Sequence, residues 1–210
     1  CGNYSLWSNL TIFWGCGTNL HRSPYNARNH EYYSEDAVLT SGQAVAFISG
    51  GKEYGVIIAP KHLAFNDTEI NRTGVSVFMT EQQARENELR GTQAAIEDAG
   101  ALGVMTAFNR VGITATNAHT GLLKNILRGE WGFKGLESQD FIMNPNYAVL
   151  KEYALNGGTM TTFTGENTMA AVSEKFAYWT TENVGQDTEL MSAIKQAMTW
   201  QAYALANSNA

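Results

Sequence analysis

The sequence predicts an α/β fold with a parallel sheet, and three observations predict it. Short runs of β-branched and aromatic residues alternate with segments of helical periodicity, the order of βαβ units. Glycine or proline punctuates most of those runs. Polar clusters follow or end several of them, namely Asn26-Ala27-Arg28-Asn29-His30-Glu31, Lys61-His62 and Ser138-Gln139-Asp140-Phe141, and the carboxyl ends of strands are where a parallel barrel carries its chemistry.

Taken in order, Leu10-Thr11-Ile12-Phe13-Trp14, closed by Gly15 and Gly17, reads as the first strand. A polar loop with Pro24 follows. Ser34 is placed to cap a helix whose stripe is Val38, Leu39, Val45, Phe47 and Ile48, ended by Gly50-Gly51. Tyr54 to Ala59 is the second strand, ended by Pro60. The stretch from Lys61 to Met79 is long for a connection, and loops of that length usually carry function or lack order. Thr80 with Gln83 resembles a capping box opening a helix through Ala99, with Leu89 and Ile96 on one face.

Gly103 to Phe108 is the third strand. Thr120 to Gly129 is a helix with Leu122, Leu123, Ile126 and Leu127 turned inward, and a fourth strand ends at Asp140. Asn144-Pro145 starts a helix that Gly157-Gly158 ends. Thr159 to Phe163 is a fifth strand-like run. Two helices finish the chain, from about Met169 to Thr181 and from Asp187 to Asn207, the last with Leu190, Ile194, Ala197, Met198, Gln201 and Leu205 near helical spacing. Five strands compare with eight in a complete barrel of about 250 residues. The chain is therefore either an open sheet or most of a barrel whose opening strands precede residue 1. One partial domain over residues 1–210 is expected.

Composition narrows the partners. Hydrophobic residues make up 44% and charged residues 16%, enough to bury a core. A net charge of −6 argues against nucleic acid or an anionic membrane as partner. No apolar run approaches the roughly eighteen residues of a membrane-spanning helix. Cys1 and Cys16 are too few for a disulfide framework or a zinc site, and Cys16 reads as a small buried residue. Asn3, Asn9, Asn66 and Asn71 each match the N-glycosylation pattern, which carries meaning only in a secreted chain. No leader is visible at Cys1-Gly2-Asn3, and the compartment stays open. Patterns for nucleotide, zinc-protease and serine-hydrolase chemistry are absent, and no cofactor or metal is expected.

The polar clusters allow more than one chemistry. Asp140 at a strand end suits a nucleophile or base, and equally a helix cap. Lys61-His62 supplies two adjacent donors for the hydroxyls of a sugar, or a salt-bridged Lys beside a satisfied His. Arg28 and Glu31 sit close enough in sequence to pair with each other. Glu137 and Gln139 are awkward in a buried parallel strand: either they face a barrel lumen or the register is displaced. Met105 and Phe108 are core residues by default.

Their joint order is more specific. Asn19 to Asp36, running Asn-Leu-His-Arg-Ser-Pro-Tyr-Asn-Ala-Arg-Asn-His-Glu-Tyr-Tyr-Ser-Glu-Asp, resembles the signature loop of family 3 glycoside hydrolases. Lys61-His62-Leu63-Ala64-Phe65-Asn66-Asp67-Thr68-Glu69 resembles that family's second signature. Val104 to Asn109 and Trp131-Gly132-Phe133-Lys134-Gly135 through Asp140 resemble the third and fourth, at intervals that also agree. The resemblance covers about residues 10 to 160.

The resemblance implies an incomplete TIM-type (β/α)8 barrel and a retaining β-glucosidase or β-xylosidase chemistry, in which one carboxylate forms a covalent glycosyl intermediate and a second carboxyl serves as acid and then base. It implies Asp140 as nucleophile and Arg28, Lys61 and His62 as sugar-hydroxyl ligands. Met105 would line the subsite, Phe108 would stand where relatives often carry Tyr, and Phe141 where many carry Trp. Gln139 replaces the usual Ser or Thr, and Gly158-Thr159-Met160 a Gly-Asp pattern. No Glu matches the family's acid/base, though Glu69 and Glu166 are available. The loop lacks the second His of the N-acetylglucosaminidase subgroup, so amino-sugar hydrolysis is not expected.

The expected partners are a β-glucoside or β-xyloside and, because an open sheet exposes strand edges, the remainder of a longer enzyme or a second copy of the chain. A non-catalytic carbohydrate-binding domain is the rival expectation. A Schiff-base enzyme acting through Lys61 is a third.

Overall fold

The structure is a computed structural model that describes residues 10–141, 149–162, 177 and 179–210. The main sheet contains β1 (Ile12–Gly17), β2 (Ile57–Leu63), β4 (Gly103–Thr106) and β7 (Leu136–Gln139), all parallel and adjacent in that order. Met160 extends the sheet through a parallel bridge to Ser138, its N–H donating to the Glu137 carbonyl at 3.0 Å. Strands that neighbour one another in chain order, joined through helices, wind as a TIM-type barrel does; here the wall stays open. Phe163, at the end of the expected fifth strand, lies outside the described residues.

The two faces of the sheet differ. Cys16, Val56, Ile58 and Val104 pack under the helices in the main core, with Ala44 and Ile48 of α1 (Ala37–Lys52) and Ala95 and Ile96 of α3 (Arg90–Glu97). Burial pushes the Cys16 thiol up to about 11, so it stays an inert packing residue. On the opposite face Ile12, Trp14, Ile57, Leu136 and Met160 form a smaller cluster closed by Ala204 of the last helix, α6 (Thr188–Ala206).

Several boundaries differ from the sequence expectation, for physical reasons. β2 does not stop at Pro60. Its pairing with β1 shifts register between Trp14 and Gly17, an irregularity alongside Pro60, and a ring without an N–H is tolerated at a bulge. The first helix is capped by Asp36, whose side chain accepts from Leu39 N–H at 2.6 Å, rather than by Ser34. It runs through Gly50-Gly51 because Gly51 packs on Ile58: a methyl there would lie 2.7 Å from that side chain. Its buried face is Thr40, Ala44, Ile48 and Gly51, while Val38 and Leu39 are exposed. Small residues prevail because α1 crosses α3 closely, where a methyl on Gly91 would meet Thr40 Cγ2 at 2.9 Å.

Thr80 caps as expected, but the helix it opens, α2 (Glu81–Gln83), widens into a π-turn at Ala84–Glu88 before α3. The segment Gly121–Glu130 is π-helical, with Leu122, Leu123 and Leu127 buried as the periodicity requires. The long stretch after β2 contributes β3 (Ser76–Val77), which joins the hairpin of β5 (Arg110–Val111) and β6 (Thr114–Ala115) in a second, three-stranded sheet. The Asn144-Pro145 helix start lies outside the described residues; α4 is Leu150–Leu155 and closes at Gly157 with φ +97°. Most of the expected Met169 helix also lies outside them, and Thr181 opens α5 (Thr181–Gln186) rather than ending a helix. In α6, Leu190, Ala197 and Ala204 are buried, whereas Met198 and Leu205 are exposed. No helix among the described residues is long and apolar enough to cross a membrane.

Glu137 and Gln139 face neither a lumen nor solvent. They alternate with Leu136 and Ser138 and point toward the helices: Gln139 accepts from Asn117 Nδ2 at 2.6 Å. Glu137 is fully buried near Arg128 and Tyr153, with neither carboxyl oxygen in a hydrogen bond, and burial pushes it up to about 7. Arg128 does not neutralise it directly. The guanidinium donates instead to the carbonyls of Phe133, Gly135 and Gly157 and lies 3.8 Å over the Trp200 ring.

An acid raised in the fold binds its proton more tightly folded than unfolded, so its contribution to stability is lost as pH rises from about 4.5 through about 7. Glu137→Gln carries no such charge. Between pH 4.5 and pH 8 the variant should gain on the order of 3 kcal/mol relative to the parent, at ~1.4 kcal/mol per pKa unit. Urea unfolding at the two pH values measures it.

Candidate functional site

The loops leaving the carboxyl ends of the main-sheet strands converge over one patch. The loop after β1 folds back on its strand through a parallel bridge between Gly17 and Tyr32. Glycine is required there, since a methyl on Gly17 would lie 2.6 Å from the Tyr32 ring and 2.7 Å from the Glu31 carbonyl. The return presents Arg28, Glu31 and Tyr32 to the end of β2. There the ladder with β4 shifts register between Lys61 and Leu63, leaving His62 as an extra residue. A bulge re-aims side chains, and both Lys61 and His62 contact the patch instead of alternating away from one another. Asn19, itself buried, clamps His62 by accepting from its N–H at 2.8 Å and donating to its carbonyl at 3.0 Å.

A continuous chain of ion pairs links the residues singled out in the sequence. Asp140 Oδ2 lies 3.3 Å from His62 Nε2 and 3.4 Å from Arg72 Nη1. Arg72 Nε reaches Glu69 Oε2 at 3.3 Å, and Glu69 Oε1 meets Arg28 Nη1 at 3.1 Å. Arg28 Nη2 lies 2.6 Å from Glu31 Oε2, whose other oxygen accepts from Lys61 Nζ at 2.6 Å. Cations and carboxylates alternate along the chain, three of each. Arg28 and Glu31 do pair, as their spacing allows, but within this larger set.

The electrostatics follow from the pairing. Burial would raise the Asp140 carboxyl, yet the hydrogen bond from His62, the Phe141 N–H at 2.8 Å and Arg72 outweigh it and hold the group below the usual carboxylate range. Burial likewise dominates His62, lowering it despite Asp140, so the imidazole is neutral at pH 7. Burial opposes ionisation of Glu31, but Lys61 and Arg28 more than offset it and the carboxyl is held low. Desolvation would lower Arg28; Tyr32, Glu31 and Glu69 together raise it.

The apolar candidates sit around this chain. Met105 lies between Lys61 and Ser138 in strand register. Phe108 is covered by the Arg72 guanidinium, 4.5 Å from its ring centre, and Phe141 is 46% exposed beside Asp140. Sequence reasoning singled out neither Arg72, Tyr32 nor Asn66 as working residues, although Asn66 lies inside the second signature and Arg72 three residues beyond its last position. Glu69, available from the sequence as a carboxylate, has its oxygens taken by Arg28, Arg72 and Asn66. Glu166 lies outside the described residues. Behind the patch His21 Nε2 donates to the Tyr32 carbonyl at 2.8 Å, and Arg22 pairs with Asp67 at 2.8 Å and with Glu88 at 3.4 Å. Sharing one arginine, these two carboxyls are pushed up by burial to about 6 and about 7.

The model of the glycosyl hydrolase family 3 N-terminal domain matches residues 9–177. The chain belongs to this family. Among relatives of this family 3 chain, a beta-glucosidase of Rhizobium radiobacter is 41% identical over 123 residues, 59% of the chain and 15% of the relative. Beta-glucosidase B of Emericella nidulans is 40% identical over 122 residues, 58% of the chain and 14% of the relative. Beta-glucosidase 3B of Thermotoga neapolitana, solved in complex with glucose, superposes with a TM-score of 0.85 at 26% identity, covering 99% of this chain and 28% of that one. The family 3 chain thus spans about one-seventh of the curated relatives' length, and its open sheet is an incomplete TIM-type barrel.

Because Glu31 is held low in the fold, its contribution to stability is present above about 4.5 and lost as pH falls through its lowered folded value. Glu31→Gln lacks that dependence. Thermal melts from pH 6 to pH 3 should show the parent's advantage over the variant shrinking steadily in acid.

Proposed function

We propose that this chain carries the nucleophile side of a retaining β-glycosidase site, acting on a terminal β-linked glucose or xylose. The observation that carries it is the alternating ion-pair chain from Lys61 to Asp140, which holds Asp140 anionic in one patch with Lys61, Arg28 and His62, whose N–H donors suit the hydroxyls of a sugar. Arg28, Lys61 and His62 hold sugar hydroxyls, Met105 lines the subsite, Phe108 supports Arg72 from below, and Phe141 forms an apolar wall. The names of the relatives, beta-glucosidases in Rhizobium radiobacter and Emericella nidulans, support the substrate class.

In the first step an Asp140 carboxylate oxygen attacks the anomeric carbon as the glycosidic C–O bond breaks, and the departing oxygen takes a proton from a carboxylic acid. In the second, water attacks the same carbon, the ester to Asp140 is cleaved, and the same acid, now a base, takes the water's proton. That acid is not Glu69, whose oxygens are engaged by two arginines and an amide. Because no Glu in the sequence matches the family's acid/base, the isolated chain is expected to turn over aryl β-glucosides weakly or not at all.

A 2-deoxy-2-fluoro-β-glucoside with a dinitrophenolate leaving group tests the assignment, since so weak a base departs without an acid's help. Mass mapping should find the sugar on Asp140. Asp140→Asn should cut labelling by roughly a thousand-fold or more while glucose binding by calorimetry persists. A label elsewhere overturns the assignment, and glucose binding with no label in the parent supports a binding domain instead.

β1 ends the sheet order, so its outer edge is the place for a strand from the remainder of a longer protein or from a second copy. For the isolated chain we propose the second copy. Light scattering at micromolar concentration should give twice the chain mass, and a clean monomer counts against it.

A further inference from the structure

The proposed nucleophile is held by an imidazole, and an imidazole can hold it only from one tautomer. Asp140 Oδ2 faces His62 Nε2 at 3.3 Å, and an ionised carboxylate only accepts, so Nε2 must carry the hydrogen. A neutral ring then has a bare Nδ1. That nitrogen faces the Tyr32 hydroxyl at 3.5 Å, and both side chains are buried.

The direction of this contact is set from the other side. Asn66 Nδ2 donates to the Tyr32 hydroxyl oxygen at 2.6 Å and to Glu69 Oε1 at 2.9 Å. The amide cannot be reversed, because its oxygen would then face the Glu69 carboxylate. With its lone pair engaged by Asn66, the Tyr32 oxygen directs its own hydrogen to His62 Nδ1. One polar relay therefore runs from Glu69 through Asn66, Tyr32 and His62 to Asp140, with a carboxylate at each end fixing every donor and acceptor between them. The second ring nitrogen of a working histidine is commonly what sets its tautomer.

We propose that Tyr32 is a positioning residue: its hydroxyl, oriented by Asn66, locks His62 in the Nε2–H tautomer that holds Asp140. The importance of this for catalysis rests on the glycosidase reading above; the tautomer itself does not. Tyr32 reaches Asp140 through His62, and the bridge to Gly17 that seats it extends from the end of β1.

Long-range 1H–15N correlation on the full chain labelled with 15N-histidine reads the tautomer directly, with only four histidines to assign. At pH 7 His62 should be the Nε2–H form, with Nδ1 shifted upfield as a hydrogen-bonded acceptor. In Tyr32→Phe, Nδ1 should move downfield to the position of a bare nitrogen and the Nε2–H fraction should fall. Backbone amide spectra report whether that variant keeps its fold. Nδ1–H in the parent overturns the proposal even if the variant fails to fold, and so does an unchanged Nδ1 resonance in a folded Tyr32→Phe. Fluoro-sugar labelling then separates the two readings. A shifted tautomer with no labelling of the parent defeats the glycosidase and leaves the relay standing.

Discussion

A carboxylate with 8% of its surface exposed stays charged only if the protein supplies what water would have supplied. Around Asp140 the supply is His62, Arg72 and the Phe141 N–H. The demand then propagates, because Arg72 is itself partly buried and needs Glu69, Glu69 draws in Arg28, and Arg28 shares Glu31 with Lys61. The loop after β2 is thereby tied by charge to the loop after β1 on one side and to the end of β7 on the other. The loops therefore adopt one arrangement together rather than several independently.

Glu137, on β7 three residues before Asp140, shows the opposite solution. It is as buried as any residue in the molecule, its oxygens lack hydrogen bonds, and the nearby arginine spends its donors on backbone carbonyls. It meets the same desolvation by keeping its proton up to about pH 7, whereas Asp140 is held below the usual carboxylate range. Burial sets the problem for both carboxyls, and the orientation of neighbouring donors decides between the two answers.

The order of the main-sheet strands and their parallel pairing were legible in periodicity, and Arg28, Glu31, Lys61, His62 and Asp140 of the patch in the order of the motifs. Features that depend on contact across the fold were not. Pro60 looks like a strand end, and only the register shift beside it explains why β2 continues to Leu63. The face of α1 is set by a close crossing with α3, so its small residues are buried and its large Val38 and Leu39 are not. Arg72 became a partner of Asp140 through a loop that shows no periodicity, and Tyr32 reads as an ordinary aromatic until Gly17 brings it to His62. Position in three dimensions gives these residues their significance, and spacing along the chain does not report it.

Asn209, just beyond α6, lies against the start of the sheet. Its N–H donates to the Gly55 carbonyl at 2.8 Å, and its side-chain amide reaches the carbonyls of Leu10 and Tyr54 at 3.3 Å each. Ala204, a turn earlier, packs on Ile57 and Leu136. The base of the sheet is thus latched by a contact spanning 199 residues of sequence, among the costliest to form in loop entropy. The lower ends of β1 and β2 are therefore secured by a segment made almost 200 residues later, so a truncation anywhere in α6 removes the fastening from strands whose own sequence is intact.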